Sequence, residues 1–361
     1  MSTDQRVHRQ CETLVDMGYD VLLVGRKLPN SLALKERRYK TKRMRLLFKR
    51  GAFFYAEYQL RLFFLLLLKR NDGLISNDLD TLLPNFLVSK IKRKPLVYDS
   101  HEYFTGVPEL MGNALAKKVW ETIEKFTFPK LKHVITVNDS IAGLYNAQYG
   151  NKIYVIRNLP FQKNIPVVTK KELGLPEDKK IILLQGAGIN KDRGAEEMVE
   201  AIYFMHSSKE IFLIIGDGDV IPALEDRIWR HSLGGKVILK GKLPLEELVK
   251  YTSVADLGVS MDKDTNINYR YSLPNKLFDY IQCGVPVFAS NLVEVKKVID
   301  DYQVGFIASN HEPSYLAKRL ESILADEELL NKYKENAKKA AKELCWENEK
   351  VKFEEIIINA F

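Results

Sequence analysis

The spacing of hydrophobic positions changes period several times along the chain. Residues 4–17 carry apolar side chains at helical intervals, and "GYDVLLVGR" then enters a short apolar run through Gly18, which predicts a buried parallel strand. "DGLISND" and "KPLVYDSHE" read as the next strands, with the helix "TLLPNFLVSKI" between them. "HVITVN" and "KIYVIRN" follow, separated by the helix "DSIAGLYNAQYG" with Asp139 as its N-cap. Residues 159–179 break this rhythm with three prolines and no sustained period, as an interdomain connection does. The pattern then restarts. "IILLQG", "IFLIIGDG", "KVILKG", "DLGVSM", "PVFAS" and "VGFIAS" predict six strands, each followed by a helical segment, and residues 327–361 read as helix with at most one break.

Strand and helix alternating in this way predict an α/β chain of two Rossmann-like, doubly wound domains that face each other across an interdomain cleft. The expected boundaries are 1–160 and 161–340, with 341–361 a helix that packs back toward the N-terminal domain. Ligands of such sheets bind beyond the carboxyl ends of the strands, so the cleft is the expected active site. A Rossmann unit ordinarily opens with a strand, yet here helical spacing begins almost at Met1. The N-terminal sheet is therefore expected to lack a first strand that is usually central.

With 46% hydrophobic and 28% charged residues over 361 positions, the chain reads as globular rather than disordered. Cys11, Cys283 and Cys345 are scattered and odd in number, which suggests neither a disulfide framework nor a zinc site and fits a reducing cytosol. No cleavable signal is expected after Met1, and "LFFLLLL" at 62–68 reads as too short to span a bilayer. The charge is uneven: residues 1–160 carry 27 Lys and Arg against 15 Asp and Glu. Much of the excess lies in "RKLPNSLALKERRYKTKRMRLLFKR" beside the aromatic "GAFFYAEY". Such a stretch suits an anionic membrane surface, or else forms a solvated helix face with a buried apolar side. No DNA- or RNA-reading motif accompanies it, so a nucleic-acid partner is not expected.

Candidate chemistry concentrates in "SLPNKLFDYIQCGVPVFAS", 272–290. Pro274 suits a helix start, where backbone N–H groups favour an anion, and Asn275 and Lys276 add an amide and a full charge. Asp279, one turn on, can accept from vicinal hydroxyls such as those of a ribose, although Lys276 and Asp279 also have the spacing of an ordinary surface pair. In "QGAGINKDRGAEEMVEAI", Gly186 and Gly188 let the backbone approach a phosphate and Arg193 offers a bidentate partner, against the plain alternative of a strand-to-helix turn. Gly216, Asp217 and Gly218 close a third strand in the same manner.

Taken together with the terminal "CWENEK" and, in the first half, "STDQRVHR", "YDSHEY" and "VIRNLP", these segments resemble the family 4 glycosyltransferases of GT-B fold. The resemblance implies a nucleotide-sugar donor in the C-terminal domain, an acceptor on the N-terminal domain, no metal and no further cofactor, and retention of anomeric configuration. The family's Glu-x7-Glu motif falls on Tyr271 and Asp279, so ribose binding carries over to Asp279. At the first position Tyr271, or Asn268 and Arg270 nearby, takes the place of the acid. The family's pair of diphosphate-binding cations falls on Gly188 and Arg193, leaving Arg193 to share the diphosphate with backbone amides and Lys276. At a strand end, "YDSHEY" offers His101 as the residue beside the transferred sugar, with Glu102 and Asp99 as neighbouring acids. The plain alternative for His101 is a structural hydrogen bond. Arg6 and His8 are acceptor-side candidates or parts of an exposed first helical turn, and Asn158 reads as a hinge residue.

The expected function is a retaining glycosyltransferase that moves a hexose-type sugar from a UDP- or GDP-sugar to a lipid-linked or polysaccharide acceptor. It is expected in the cytoplasm, peripheral on the inner membrane face. Two alternatives stay open: a GT-B nucleotide-sugar epimerase, which consumes no acceptor, and a non-catalytic membrane-bound scaffold, motivated by Tyr271 and Gly188.

Overall fold

The computed structural model describes residues 4–29, 31, 33–107, 110 and 112–361. Ser2 and Thr3 of the family-like opening stretch lie outside them. The chain forms two compact units, residues 1–158 with 346–361 and residues 159–345. Asn158 closes the first segment, where its Oδ1 accepts a hydrogen bond from Arg9.

Unit 1 opens with α1 (Gln5–Asp16), capped by Asp4, whose carboxylate accepts from the Val7 N–H. β1 (Leu22–Lys27) and β2 (Lys40–Arg45) then pair in parallel, Leu22 opposite Lys40, as a two-stranded sheet. After α2 (Gly51–Leu68) comes a second parallel sheet in the order β3 (Leu74–Asn77), β4 (Leu96–Ser100), β5 (His133–Thr136), β6 (Ile153–Val155). Its connections are α3 (Leu79–Lys92), α4 (Ala114–Thr127) and α5 (Asp139–Tyr149). The helix Trp346–Ala360 returns to cover this sheet: Trp346 and Phe353 bury against Leu14, Val97 and Ile135, and the indole Nε1–H donates to Thr13 Oγ1 at 3.1 Å.

Among the described residues unit 1 thus holds two separate parallel sheets, β1-β2 and β3-β4-β5-β6. β1 and β3 each keep one edge without a strand partner among the described residues.

Four expectations are corrected here. "GYDVLLVGR" forms a strand, but one with Leu22 exposed and only Gly25 buried, because its sheet has just two strands. Residues 40–45, read as a helix face or membrane-facing stretch, form β2. The apolar run at 62–68 belongs to α2, whose 18 residues are long and apolar enough to cross a membrane by length and composition. The cap of α5 is Asn138, not Asp139: its Oδ1 accepts the Ile141 N–H at 2.9 Å, and Asp139 is the first helical residue.

Unit 2 is a single six-stranded parallel sheet in the order β12 (Gly305–Ala308), β11 (Val287–Ser290), β10 (Leu257–Ser260), β7 (Lys180–Gly186), β8 (Glu210–Gly216), β9 (Val237–Lys240). The central strands are apolar almost without interruption, as expected where helices cover both faces. On one face Ile182, Leu184, Phe212 and Ile214 pack under α6 (Ala195–Phe204), α7 (Ile221–Arg230) and later α12 (Pro313–Ala325). On the other, Leu183, Leu213 and Ile215 meet α8 (Leu245–Ser253), α10 (Asn275–Gln282), α11 (Val293–Tyr302) and α13 (Glu327–Glu343). The short α9 (Ile267–Arg270) lies ahead of α10. Winding reverses between β7 and β10, which makes their carboxyl ends the switch point of the sheet.

Candidate active site

The four-stranded sheet of unit 1 and the sheet of unit 2 each place a charged constellation at the carboxyl ends of their strands. In unit 2 it starts from α10, which is fixed from below. The Tyr280 ring lies flat on β10 where a Cβ on Gly258 would come within 2.5 Å of it, and the Tyr280 hydroxyl donates to Leu183 O at 3.0 Å. Pro274 stands one position earlier than expected, at the N-cap itself, and Asn275 is the first helical residue.

The turns after β7 and β10 are joined by backbone. The Lys263 N–H donates to Asp192 O at 2.8 Å, and Gly194, at φ +74°, lies where any Cβ would meet Met261 O at 2.3 Å. This contact brings Arg193 beside Asp262. Arg193 Nη1 is 3.5 Å from Asp262 Oδ2, Lys276 Nζ is 3.7 Å from Oδ1, and the guanidinium sits over the Tyr269 ring at 5.1 Å. Two cations thus share one buried carboxylate. Arg193 Nε and Asp262 Oδ1 are buried with no hydrogen-bond partner among the described residues. Burial lowers the Lys276 pKa, against the attraction of Asp262. The site retains donors that Asp262 does not engage, an arrangement suited to an anion.

Asp279 does not pair with Lys276. Its Oδ1 accepts from Lys163 Nζ at 2.6 Å, a residue of the connecting segment, and Oδ2 lies 3.5 Å from Gln185 Nε2. Gly186 ends β7 and Gly188 follows; Ile189 then donates its N–H to Asp217 O at 2.8 Å, so the Gly216–Asp217–Gly218 turn is packed directly on the Gly186–Gly188 turn. Tyr271 stands between α9 and α10 and Asn275 opens α10, with Asn268 buried and Arg270 paired to Asp264 instead.

In unit 1, His101 follows β4 and lies between two carboxylates. Its Nδ1 is 3.3 Å from Asp78 Oδ2 and its Nε2 is 3.3 Å from Asp99 Oδ2. Arg6, buried on α1 rather than exposed, donates to both oxygens of Asp99 at 2.9 and 2.7 Å, and Gln10 adds a third bond at 2.6 Å. Asp99 is fully buried, and in spite of that burial the Arg6 and His101 charges hold it well below the usual carboxylate range. Burial opposes protonation of His101, but Asp78 and Asp99 outweigh it and raise its pKa to about 9. The imidazole is therefore a cation near neutrality.

Asp78 and Asp80 were not legible as site residues. Asp78 holds φ +58°, unusual for a residue with a side chain, and is kept there by its N–H to Asp99 O and its Oδ1 accepting the His101 N–H, each at 2.9 Å. Asp80 is raised to about 7 by burial and then by Asp78. His8 lies to one side of this cluster, with Nδ1 2.9 Å from Tyr39 Oη. The Glu102 carbonyl accepts from Ser100 Oγ at 2.7 Å, which fixes the turn that carries His101.

Comparison with known proteins identifies the family and the fold. Residues 168–340 match the family model "Glycosyl transferases group 1", and residues 4–159 match "Glycosyltransferase Family 4". An uncharacterized glycosyltransferase of Methanocaldococcus jannaschii is 23% identical over 73% of this chain and 68% of its own. Chitobiosyldiphosphodolichol beta-mannosyltransferase of Candida albicans is 21% identical over 56% of this chain and 48% of its own. The chain spans about half the length of several such curated relatives. Among solved structures, Anabaena HepE in complex with UDP-glucose superposes with a TM-score of 0.68 at 16% identity, over 89% of this chain and 85% of that one. That likeness is one of fold, the GT-B class.

Proposed function

Because the chain belongs to the group 1, family 4 glycosyltransferases, we propose that it transfers a sugar from a nucleoside-diphosphate donor, with retention at the anomeric carbon, to a lipid-linked or polysaccharide acceptor. The observation that carries this reading is the Arg193–Asp262–Lys276 group at the switch point of unit 2, whose cations outnumber their internal partner. A diphosphate takes up the donors that Asp262 leaves unused. As the bond from the sugar C1 to the phosphate oxygen breaks, negative charge grows on that oxygen, and Arg193 and Lys276 are held in place to stabilise it. Asp279, steadied by Lys163, accepts from the ribose diol.

In unit 1, His101 already carries its second proton at pH 7, so it does not act as a base there and serves as a fixed positive donor. Asp99, sealed by Arg6 and Gln10, orients it. The acceptor hydroxyl loses its proton to the departing phosphate oxygen in a front-side step, so no protein nucleophile is required. Support for a UDP-sugar comes from the HepE complex, and for a lipid-linked acceptor from the Candida relative's name.

Calorimetric titration with UDP and GDP tests the reading: one of them is expected to bind, and Arg193→Ala to weaken it. A well-folded sample that binds neither overturns it. Product analysis without acceptor then separates transfer from epimerisation, and the anomeric proton signal of the product reports retention.

A further inference from the structure

α2 carries one buried and one exposed apolar stripe, and only the first is used inside the protein. Phe54, Tyr58 and Leu62 bury against Met44, and Lys92 Nζ donates to Leu66 O at 2.9 Å near the helix end, so the inner side is tied to the body of unit 1. On the outer side Phe53, Leu60, Phe64 and Leu68 recur at spacings of seven and four residues and are 72, 59, 50 and 83% exposed. Leu47 and Phe48 extend this stripe from the preceding turn. Glu57 holds them there by accepting both of their backbone N–H groups at 2.9 to 3.0 Å, and the Phe48 ring stacks on Phe53 at 5.4 Å. Single exposed apolar residues are ordinary, whereas a continuous stripe of this length marks a contact surface.

Charge decides what contacts it. From Lys40 to Arg70 the chain has nine Lys and Arg and one acid, Glu57. That acid is already consumed by the Leu47 and Phe48 amides and by Arg61 at 2.8 Å. Arg45, Lys49 and Arg50 are exposed at one end of the stripe and Lys69 and Arg70 at the other. An apolar stripe between two cationic ends is complementary to a bilayer with anionic headgroups: the rings enter the acyl boundary and the cations meet phosphate. α2 has the length and composition to cross a membrane, but its inner stripe is buried in the unit and fixes it along the surface.

We infer that the outer face of α2, with the 47–50 turn, is a docking surface for an anionic lipid bilayer. This does not depend on the identity of the sugar donor. The test is co-sedimentation of the full chain with large vesicles of phosphatidylcholine alone or with one third phosphatidylglycerol. Binding to the anionic vesicles is expected to be at least about tenfold tighter, and to weaken in high salt. Leu60→Glu with Phe64→Glu, and separately Lys49→Glu with Arg50→Glu, are each expected to lower it about tenfold or more. All of these sites are exposed, so circular dichroism melting should match the parent. Absence of binding to either vesicle, or undiminished binding by both folded variants, overturns the inference. So does a dimer in sedimentation velocity that the Leu60→Glu, Phe64→Glu pair dissolves, since the stripe would then belong to a second copy.

Discussion

The parallel strands of the two units differ in how much protein supports them. In unit 2, β7 has a strand on each side and apolar clusters on both faces, and Ile181 to Leu184 are essentially excluded from solvent. In unit 1 the strands form two smaller sheets, and β1 pairs only with the charged strand β2. The difference teaches that winding order alone does not stabilise such a sheet. What does so is an unbroken row of strands with helices above and below, each burying its neighbours.

The largest expected effect is in hydrogen exchange. Amides of β7 and β8 should exchange at least about a hundredfold more slowly than those of β1 and β2. Equal protection would break the comparison. Next, Leu183→Ala or Gly258→Ala should each destabilise unit 2 by about 3 kcal/mol or more in urea, through a cavity in one case and a clash with Tyr280 in the other. Leu22→Ala on exposed β1 should cost less than about 1 kcal/mol. Lys276→Ala should weaken nucleoside-diphosphate binding about 10- to 100-fold by calorimetry, the worth of one charge-assisted bond, without altering unit 1.

The smallest effect concerns pH. The His101 pKa is raised above its unfolded value, so its contribution to stability is fully present below about pH 6.5 and is lost as pH rises through about 9. Melting temperature should fall by a few degrees across that interval, and His101→Gln should flatten the fall.

All six strands of unit 2 were legible, because buried parallel strands are continuous apolar runs and each ended in glycine, proline or a polar turn. β2 was not: "KTKRMR" buries only Met44, and a half-exposed strand beside a single partner carries no period that differs from a solvated helix. Arg193, Lys276, Asp279 and His101 stood out as charges at predicted strand or helix ends. Asp78 directly follows β3 and Asp262 lies two residues past β10, which was the available signal. Their importance lies in partners distant in sequence, and in the backbone angle of Asp78, neither of which a local pattern encodes. Lys163 gave no cue, since a proline-rich connection has no period from which a direction can be read.

The carboxylate of Asp262 already satisfies part of the demand of Arg193 and Lys276. An incoming anion has to compete with a tethered rival. A singly charged ion gains little from that exchange, while a ligand with two linked phosphoryl groups can engage both cations at once. On the proposed function, this arrangement favours the longer polyanion before any contact with a base or a sugar is made.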